Sequence, residues 1–194
     1  MPTGIDALAT RVVDAGPTVG PVRLICVDGP AGSGKTTWAA QLDLALRERH
    51  VSVETVHGDE VYEGWPVVRG AVDRIDAFTL LPERMSRWFL HPWAAGRPGG
   101  HRMWDWSTDA WGEERTVTAA DVVILEGVAL GSRLLRSHAA LSVWIEASPD
   151  VRLERVLARD GAAIRAEMIR WQADEDAWHA FDDTRDGADV RLAT

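Results

Sequence analysis

Asparagine is absent from this sequence, and cysteine, tyrosine and lysine each occur once. The lone cysteine, Cys26, excludes an internal disulfide and agrees with a reducing compartment. It lies in an apolar strand pattern, which favours a small buried hydrophobic residue. The lack of asparagine disfavours a guanine-specific GTPase, because such proteins usually read guanine with an Asn-Lys-x-Asp segment.

Basic residues are outnumbered by acidic ones. The 21 Lys and Arg and the 30 Asp and Glu give a formal net charge of −9. This balance argues against a nucleic-acid or anionic-membrane partner, because both need a clustered basic face. The chain has no apolar run of membrane-spanning length, and residues 1–20 lack the pattern of a secretory signal. We therefore expect a soluble cytoplasmic protein, with its oligomeric state left open.

Apolar and β-branched runs alternate with helical patterns along a chain of 194 residues, 46% of them hydrophobic. That length favours a single domain spanning residues 1–194. Strands that alternate with helices predict an α/β fold in which a parallel sheet is covered on both faces. The predicted strands are residues 22–27, 51–56, 121–126, 141–146 and 188–192, and the main predicted helices are residues 36–49, 150–159 and 164–181.

One long segment, residues 58–120, interrupts this alternation. Helical patterns at residues 67–78 and 82–95 are followed by a glycine-rich loop at residues 96–100. Ligands of open α/β sheets bind beyond the carboxyl ends of the strands, so an insertion that leaves from a strand end is well placed to build a substrate site. Residues 1–20 are interpreted as an N-terminal extension.

The lone lysine lies in a phosphate-binding pattern, G-x-x-x-x-G-K-[ST], between a predicted strand and a predicted helix. In this pattern backbone N–H groups cradle phosphates, and a compact ammonium fits inside the loop better than a planar guanidinium. Thr36 is expected to ligate Mg²⁺, while Thr37 is either a second phosphate contact or a helix N-terminal residue. The residues of the pattern, called the phosphate loop below, are Gly29, Pro30, Ala31, Gly32, Ser33, Gly34, Lys35 and Thr36.

Two acidic residues lie at the carboxyl ends of predicted strands. Glu126 ends the most apolar strand, where a carboxylate can order a metal ion and its waters, or else cap the next helix. Asp59 follows the strand at residues 51–56, and phosphate transfer to a hydroxyl needs a base that takes its proton. Lys35 and Asp59 are therefore the predicted catalytic residues, with Glu60 as a competing base.

Five segments form a wider pattern: the phosphate loop, Asp-x-x-Tyr at residues 59–62, Trp-Asp-Trp at residues 104–106, the run at residues 116–127 and Ala-Asp-Val at residues 188–190. In this combination the chain resembles the uridine kinase and phosphoribulokinase group of P-loop kinases. The loop is common to many families, whereas the spacing of the other four segments is more specific to this group.

The resemblance implies a three-layer P-loop NTPase fold with a five-stranded parallel sheet in the order 2-3-1-4-5. A helical insertion is expected on the substrate side, and a short lid at residues 159–170. The resemblance also implies ATP and Mg²⁺ as cofactors. The γ-phosphate would pass to a hydroxyl of a small-molecule acceptor that is nucleoside-like or sugar-like.

The resemblance further assigns roles to individual residues. It gives Asp59 the position of the base and places Arg185 near the adenine. Arginines on one helical face would reach the transferring phosphate, although an exposed charged face is the alternative interpretation. These arginines are Arg152, Arg155 and Arg159, with Arg165 and Arg170 as further lid candidates. The residues expected at the acceptor are Asp59, Tyr62, Trp104, Asp105 and Trp106.

Two features leave the acceptor open. Uridine kinases follow their aromatic-Asp-aromatic segment with a histidine that contacts the nucleoside, and Asp109 stands at that position here. Tryptophans crowd the insertion, where they either stack on an acceptor or pack a small core. A nucleoside monophosphate kinase, whose phosphate acceptor needs arginines, and a regulatory ATPase that signals to a protein partner remain the alternatives. The tryptophans are Trp65, Trp88, Trp93, Trp104, Trp106 and Trp111.

Overall fold

Strands form the central layer of the structure, a computed structural model that describes residues 4–62 and 74–194. Each of the five predicted strands is present, with ends displaced by at most two residues. A hairpin adds two strands that the sequence patterns did not predict. The strands are β1 (Arg23–Asp28), β2 (Val53–His57), β3 (Gly99–Asp105), β4 (Ala110–Val117), β5 (Val122–Glu126), β6 (Leu141–Glu146) and β7 (Val190–Ala193).

The main sheet has five strands in the order β2-β5-β1-β6-β7, and every neighbouring pair is parallel. The expected order 2-3-1-4-5 counted only the strands of this sheet. Strands β3 and β4 form a separate antiparallel hairpin that falls between β2 and β5 along the chain. Because β1 lies in the middle, the loop that follows it opens between β5 on one side and β6 on the other.

Helices cover both faces of the sheet, as expected for parallel strands. The predicted helices at residues 36–49, 150–159 and 164–181 are present, again with small displacements of their ends. The helices are α1 (Ile5–Asp14), α2 (Lys35–Arg47), α3 (Arg74–Met85), α4 (His91–Ala94), α5 (Arg133–Arg136), α6 (Pro149–Asp160), α7 (Arg165–Asp182) and α8 (Thr184–Gly187).

Alternation along β1 divides the hydrophobic core into two clusters. Leu24 and Cys26 belong to the cluster with α3, α4 and α7, while Ile25 and Val27 belong to the cluster with α1 and α2. Successive side chains of a strand point to opposite faces, so one apolar run supplies both clusters. Cys26 is fully buried, and burial raises the pKa of its thiol.

The expected extension at residues 1–20 contains a helix that contributes to the core. Leu8, Ala9 and Val12 of α1 are buried in the cluster that includes α2. Among residues 4–62 and 74–194, no helix has the length and apolar character needed to cross a membrane.

The insertion is only partly helical, which corrects the sequence-based expectation. Helix α3 continues through a π-helical segment, Ser86–Leu90, into α4, and the chain then forms the β3–β4 hairpin. Asp109 lies in the hairpin turn with a φ of 52°, in the left-handed region. Most of the predicted helix at residues 67–78, together with Trp65, lies outside the described residues.

Candidate active site

The ends of β2, β5 and β1, which are neighbours in the sheet, lie together at its carboxyl edge. In the sheet register, Glu126 at the end of β5 pairs with Val27 of β1 on one side and with His57 of β2 on the other. The phosphate loop follows β1, and Asp59 follows β2, so the parallel register brings these groups to one place. The sequence prediction that these segments share a site agrees with this arrangement.

The phosphate loop depends on glycine where the chain turns into α2. Gly34, the residue before α2, has a φ of 96°, and Gly32 has a φ of 79°. A Cβ atom at Gly32 would lie 2.4 Å from the carbonyl oxygen of Arg152, so only glycine fits there. The loop therefore curls tightly and directs backbone N–H groups and the positive end of α2 toward its centre.

Lys35 lies inside this curl. Its Nζ donates to the carbonyl oxygens of Gly29 at 2.8 Å and Pro30 at 3.1 Å, and the residue is only 8% exposed. The ammonium is thereby held at the point where the pattern requires a positive charge. The hydroxyl of Ser33 is buried and, among the described residues, has no hydrogen-bond partner, so it is available to a ligand.

Thr36 and Glu126 supply the oxygen atoms that suit a magnesium ion. Thr36 Oγ1 donates to Glu126 Oε1 at 3.1 Å, so the hydroxyl and the carboxylate lie side by side. Mg²⁺ prefers oxygen ligands and usually keeps several waters, with substrate phosphates completing its shell. A hydroxyl and a carboxylate next to a phosphate loop fit this requirement.

His57 also contacts this pair and was missed as a site residue. Its Nδ1 lies 2.6 Å from Glu126 Oε1, and this hydrogen bond raises the pKa of His57. The sequence signal was its place as the last residue of β2, beside the strand that ends in Glu126. His57 therefore restricts the orientation of the carboxylate.

Asp59 and Glu60 differ in their surroundings, which separates the two candidate bases. Both lie in a single 3-10 turn, Gly58–Glu60, after β2. The Asp59 side chain is reached by solvent through the cavity described below, and burial under the surrounding protein raises its pKa, against the opposing charge of Lys35.

Glu60 is held away from this position by the hairpin. Arg115 Nη1 donates to both of its oxygens, at 3.1 and 2.8 Å, and His101 Nε2 lies 3.3 Å from Oε2. Although burial acts in the opposite direction, the contact with His101 and the hydrogen bonds from Arg115 leave the pKa of Glu60 lowered. Glu60 thus anchors the turn, and Asp59 is the carboxylate that faces the cavity.

One cavity of about 780 Å³ opens between the phosphate loop, Asp59 and helices α6 and α7. Its volume lies in the range of small-molecule sites, which is roughly 300–1,000 Å³. Lys35, Thr36 and Glu126 line one part, while Tyr62 and Trp106 line the part near Asp59. The cavity is therefore large enough for a small-molecule ligand, and it joins the phosphate loop to the surroundings of Asp59.

Tyr62 and Trp106 are the two predicted aromatic contacts that reach the cavity. Tyr62 donates its hydroxyl to the carbonyl oxygen of Val128 at 3.0 Å, and Trp106 donates Nε1 to the carbonyl oxygen of Asp59 at 2.8 Å. Because these polar groups are engaged with backbone, the rings present mainly carbon to the cavity. Trp106 also holds the backbone of the turn that carries Asp59.

Trp104 and Asp105 lie elsewhere on the hairpin. Trp104 packs against Trp111 of the neighbouring strand, with ring centroids 5.3 Å apart. Asp105 is exposed and accepts hydrogen bonds from the backbone and hydroxyl of Ser107. Neither residue lines the cavity. Side chains alternate along a strand, so adjacent residues at the hairpin end face different surroundings.

The predicted lid arginines separate into two groups. Arg155 and Arg159 of α6 line the cavity, as the spacing of their helical face suggested. Arg152 does not, because it is buried and donates to Glu175 at 2.6 Å, which corrects its assignment as a phosphate contact. Arg185 is an exposed partner of Glu146 and does not line the cavity.

Arg165 and Arg170 were the remaining lid candidates. Both are exposed on α7, and neither lines the cavity. Arg170 lies 3.7 Å from Glu167 one turn away. Among the described residues, the cationic side chains that line the cavity are Lys35, Arg155 and Arg159.

Comparison with curated proteins identifies nucleotide kinases as relatives, while no family model matches the chain. The chain is 33% identical over 145 residues to an adenylate kinase from Corynebacterium aurimucosum, which covers 73% of each protein. It is 30% identical over 143 residues to a cytidylate kinase from Pyrobaculum arsenaticum, which covers 73% of this chain but 62% of that relative.

Solved structures show the same fold over almost the whole chain. A structure described as a possible uridine kinase from Bacillus stearothermophilus has a TM-score of 0.70 at 23% identity, covering 97% of this chain and 96% of that one. A proposed fructose transport system kinase from Silicibacter sp. TM1040 has a TM-score of 0.63 at 20% identity, covering 98% and 99%. These similarities concern the fold alone.

Proposed function

The chain belongs to the P-loop kinase family, and we propose that it transfers the γ-phosphate of ATP to a hydroxyl group of a small molecule, with Mg²⁺. The observation that carries this proposal is the position of Asp59, whose carboxylate faces the phosphate loop across the same cavity. A base at that position is required when the acceptor is a hydroxyl, because its proton must leave as the new bond forms.

In the proposed reaction the acceptor oxygen forms a bond to the γ-phosphorus, and the bond between that phosphorus and the β,γ-bridging oxygen breaks. Asp59 accepts the proton of the hydroxyl, and ADP carries away the electron pair of the broken bond. The raised pKa of Asp59 makes its carboxylate a better proton acceptor than an ordinary aspartate.

The phosphate loop binds and orients the triphosphate. Two loop carbonyls hold Lys35, whose ammonium would contact the β- and γ-phosphates. The backbone N–H groups at the start of α2 would bind phosphate oxygens. Arg155 and Arg159 approach from the opposite wall and stabilise the charge on the transferring phosphate. Transfer of this kind depends mainly on such positioning and charge.

Thr36 and Glu126 are the residues that would hold Mg²⁺ beside the loop, where the ion neutralises phosphate charge when bound. His57 keeps Glu126 oriented toward Thr36. The hydrogen bond between Thr36 and Glu126, together with the contact of His57 with the same carboxylate oxygen, supports this proposal.

Glu126→Gln tests the metal assignment, because it keeps the side-chain shape but removes the charge. The Mg²⁺ concentration that gives half-maximal activity is expected to rise about tenfold or more. Titration of activity with Mg²⁺ measures this change. Glu48→Gln, at an exposed position after α2, is the matched control and should leave the titration unchanged. Identical Mg²⁺ dependence in the two variants would contradict the assignment.

The acceptor is expected to be nucleoside-like or sugar-like, with its reacting hydroxyl at Asp59. Trp106 and Tyr62 provide apolar surfaces on which a ring can pack. The position that carries a nucleoside-contacting histidine in uridine kinases belongs to the hairpin turn here, at Asp109. A nucleoside acceptor would therefore be recognised by other groups.

The names of the curated relatives favour a second candidate, a nucleoside monophosphate kinase. A phosphate acceptor needs cationic groups and no general base. Two described arginines of the insertion are engaged elsewhere and do not line the cavity: Arg102 donates to hairpin carbonyls, and Arg115 donates to Glu60. Arg69, another arginine of the insertion that could serve a phosphate acceptor, lies outside the described residues.

An assay with Mg·ATP and a panel of acceptors tests the proposal. The panel contains nucleosides, sugars, other hydroxylated metabolites and nucleoside monophosphates, with a no-acceptor reaction as control. A phosphorylated hydroxyl compound, formed together with ADP, is the expected result. Phosphorylation of monophosphates alone would support the second candidate, and ADP formed equally without any acceptor would support a regulatory ATPase.

A further inference from the structure

A buried carboxylate on α7 contacts the phosphate loop from behind. Glu175 is completely buried, and its Oε2 accepts a hydrogen bond from the backbone N–H of Ala31 at 2.9 Å. The same oxygen accepts from Trp171 Nε1 at 2.9 Å, and Oε1 accepts from Arg152 Nη1 at 2.6 Å. Glu175 does not line the cavity. Its contacts are therefore with the loop and its supports.

Helix α6 contacts the loop at the next residue. The backbone of Arg152 lies so close to Gly32 that a Cβ there would be 2.4 Å from the Arg152 oxygen. One turn later, Arg155 Nη1 lies 3.4 Å from the Gly32 carbonyl oxygen. Arg152 thus contacts Glu175 through its side chain and the loop through its backbone, which links α6, α7 and the phosphate loop.

The linked helices carry the opposite wall of the cavity. Arg155 and Arg159 of α6, together with Met168 and Trp171 of α7, line it. Trp171 is also the residue that donates to Glu175. A shift of the Glu175 carboxylate would consequently move the phosphate loop relative to the groups that face it.

We propose that Glu175 is a positioning residue, which holds the Ala31 amide and Arg152 so that the phosphate loop keeps the conformation and place that ATP binding and transfer require. The inference rests on the proposed function for its kinetic consequences. It assigns Glu175 no contact with ATP or with the acceptor, since its effect passes through the loop.

The cost of burying this carboxylate supports a role in activity rather than in stability. Burial raises the pKa of Glu175 to about 7, against the Ala31 N–H and the charges of Lys35, His179 and Arg152. When the pKa of a carboxyl group is higher in the folded than in the unfolded protein, ionisation favours unfolding. The folded protein therefore loses stability as the pH rises from the unfolded pKa to the folded pKa. The ionised form of Glu175 therefore lowers the stability of the fold. In return, it forms charge-assisted hydrogen bonds that hold the phosphate loop.

Other charged groups lie near Glu175 and Arg152. Asp28 of β1 lies 3.4 Å from His179, and Asp176 lies 3.8 Å from Arg152 at an exposed position. As the pH falls through about 7, Glu175 takes up a proton and its bonds to Ala31 and Arg152 lose their ionic character. The raised pKa of Asp59 also lowers activity as the pH falls, so the binding of Mg·ATP, which needs no proton acceptor, isolates the titration of Glu175.

Glu175→Gln, compared with the exposed control Glu154→Gln on α6, tests the proposal. At about pH 8, kcat/KM for Mg·ATP is expected to fall about 10- to 100-fold, the equivalent of one charge-assisted hydrogen bond. The loss of wild-type activity near pH 7 should disappear from the pH profile of the variant, leaving only the limb due to Asp59. A profile that keeps its shape, or an unchanged kcat/KM, would overturn the proposal.

Binding of Mg·ATP without an acceptor separates this inference from the proposed function. The dissociation constant should rise in Glu175→Gln at about pH 8, and should rise in the wild type as the pH falls through about 7. This result would stand even if no hydroxyl acceptor were found. Equal, pH-independent affinities in the two proteins would overturn the role of Glu175 whatever the acceptor.

A second variant keeps the test decisive if glutamine at this position prevents folding. Arg152→Lys retains a positive charge opposite Glu175 but loses the planar donor. It should lower kcat/KM for Mg·ATP by a smaller factor and keep the loss of activity near pH 7. Wild-type kinetics in Arg152→Lys would contradict the link between α6, Glu175 and the loop.

Discussion

Lys35→Ala is expected to reduce phosphate transfer at least about 10²- to 10³-fold while the protein remains folded. One preorganised charge at the transferring group contributes about 3–4 kcal/mol, which corresponds to that factor. The ammonium is held inside the phosphate loop by the carbonyls of Gly29 and Pro30 rather than by the hydrophobic core. Its removal should therefore affect chemistry more than folding.

Turnover of the best acceptor and thermal unfolding measure the two effects of this change. Lys35→Arg extends the test, because a guanidinium keeps the charge but is too wide for the curl of the loop. It should be almost as inactive as the alanine variant. Wild-type turnover in Lys35→Ala, with correct folding, would remove Lys35 from the mechanism.

Asp59→Asn should retain Mg·ATP binding but lose transfer by about 10²- to 10⁴-fold, the usual contribution of general acid–base catalysis. An amide has the shape of the carboxylate but accepts no proton. Because the pKa of Asp59 is raised, wild-type activity should fall as the pH decreases and the carboxylate becomes protonated. The variant should lack that part of the pH profile.

Glu60→Gln is the matched control for Asp59→Asn, since the two acids are adjacent in one turn. Glu60 is bound to Arg115 and His101, so its replacement should weaken the anchoring of the turn and lower kcat much less. Single-turnover rates and Mg·ATP dissociation constants measure both variants. Unchanged transfer in Asp59→Asn, or a greater loss in Glu60→Gln, would reassign the base.

The parts of the fold that the sequence predicted well are those with a local cause. Apolar runs revealed the five strands of the main sheet, and the phosphate loop was marked by its glycines and lone lysine. Parallel pairing then explains why Glu126 lies beside the loop, since strand ends meet at one edge. The expectation of P-loop kinase relatives is confirmed by the comparisons.

The hairpin was missed because glycines and tryptophans obscured its alternation. Burial does not alternate along the strand Ala110–Val117, because the adjacent residues Trp111 and Gly112 are both half-buried and only Val117 is buried. Its turn around Asp109 needs a left-handed backbone, for which the sequence offered Asp rather than the more usual glycine. The segment was consequently predicted as part of a helical insertion.

Side-chain pairing over long sequence distances was beyond sequence reasoning. Because three arginines share one helical face, all three were predicted to contact the transferring phosphate. Arg152 instead donates to the buried Glu175, while Arg155 and Arg159 line the cavity. Glu175 and Ala31 are 144 residues apart in the sequence, and no local sequence pattern predicts their contact. His57 was passed over for the same reason, because its partner is on another strand.

Transfer of labelled phosphorus from γ-labelled ATP tests the central claim most directly. The protein, Mg·ATP and the best acceptor of the panel are incubated, and ADP and labelled product are counted over time. The proposed mechanism predicts one phosphorylated hydroxyl group for each ADP, with both products formed about 10²- to 10⁴-fold more slowly when Asp59→Asn replaces the wild type. Label recovered as inorganic phosphate at the rate of ADP formation, with none on the acceptor, would contradict it.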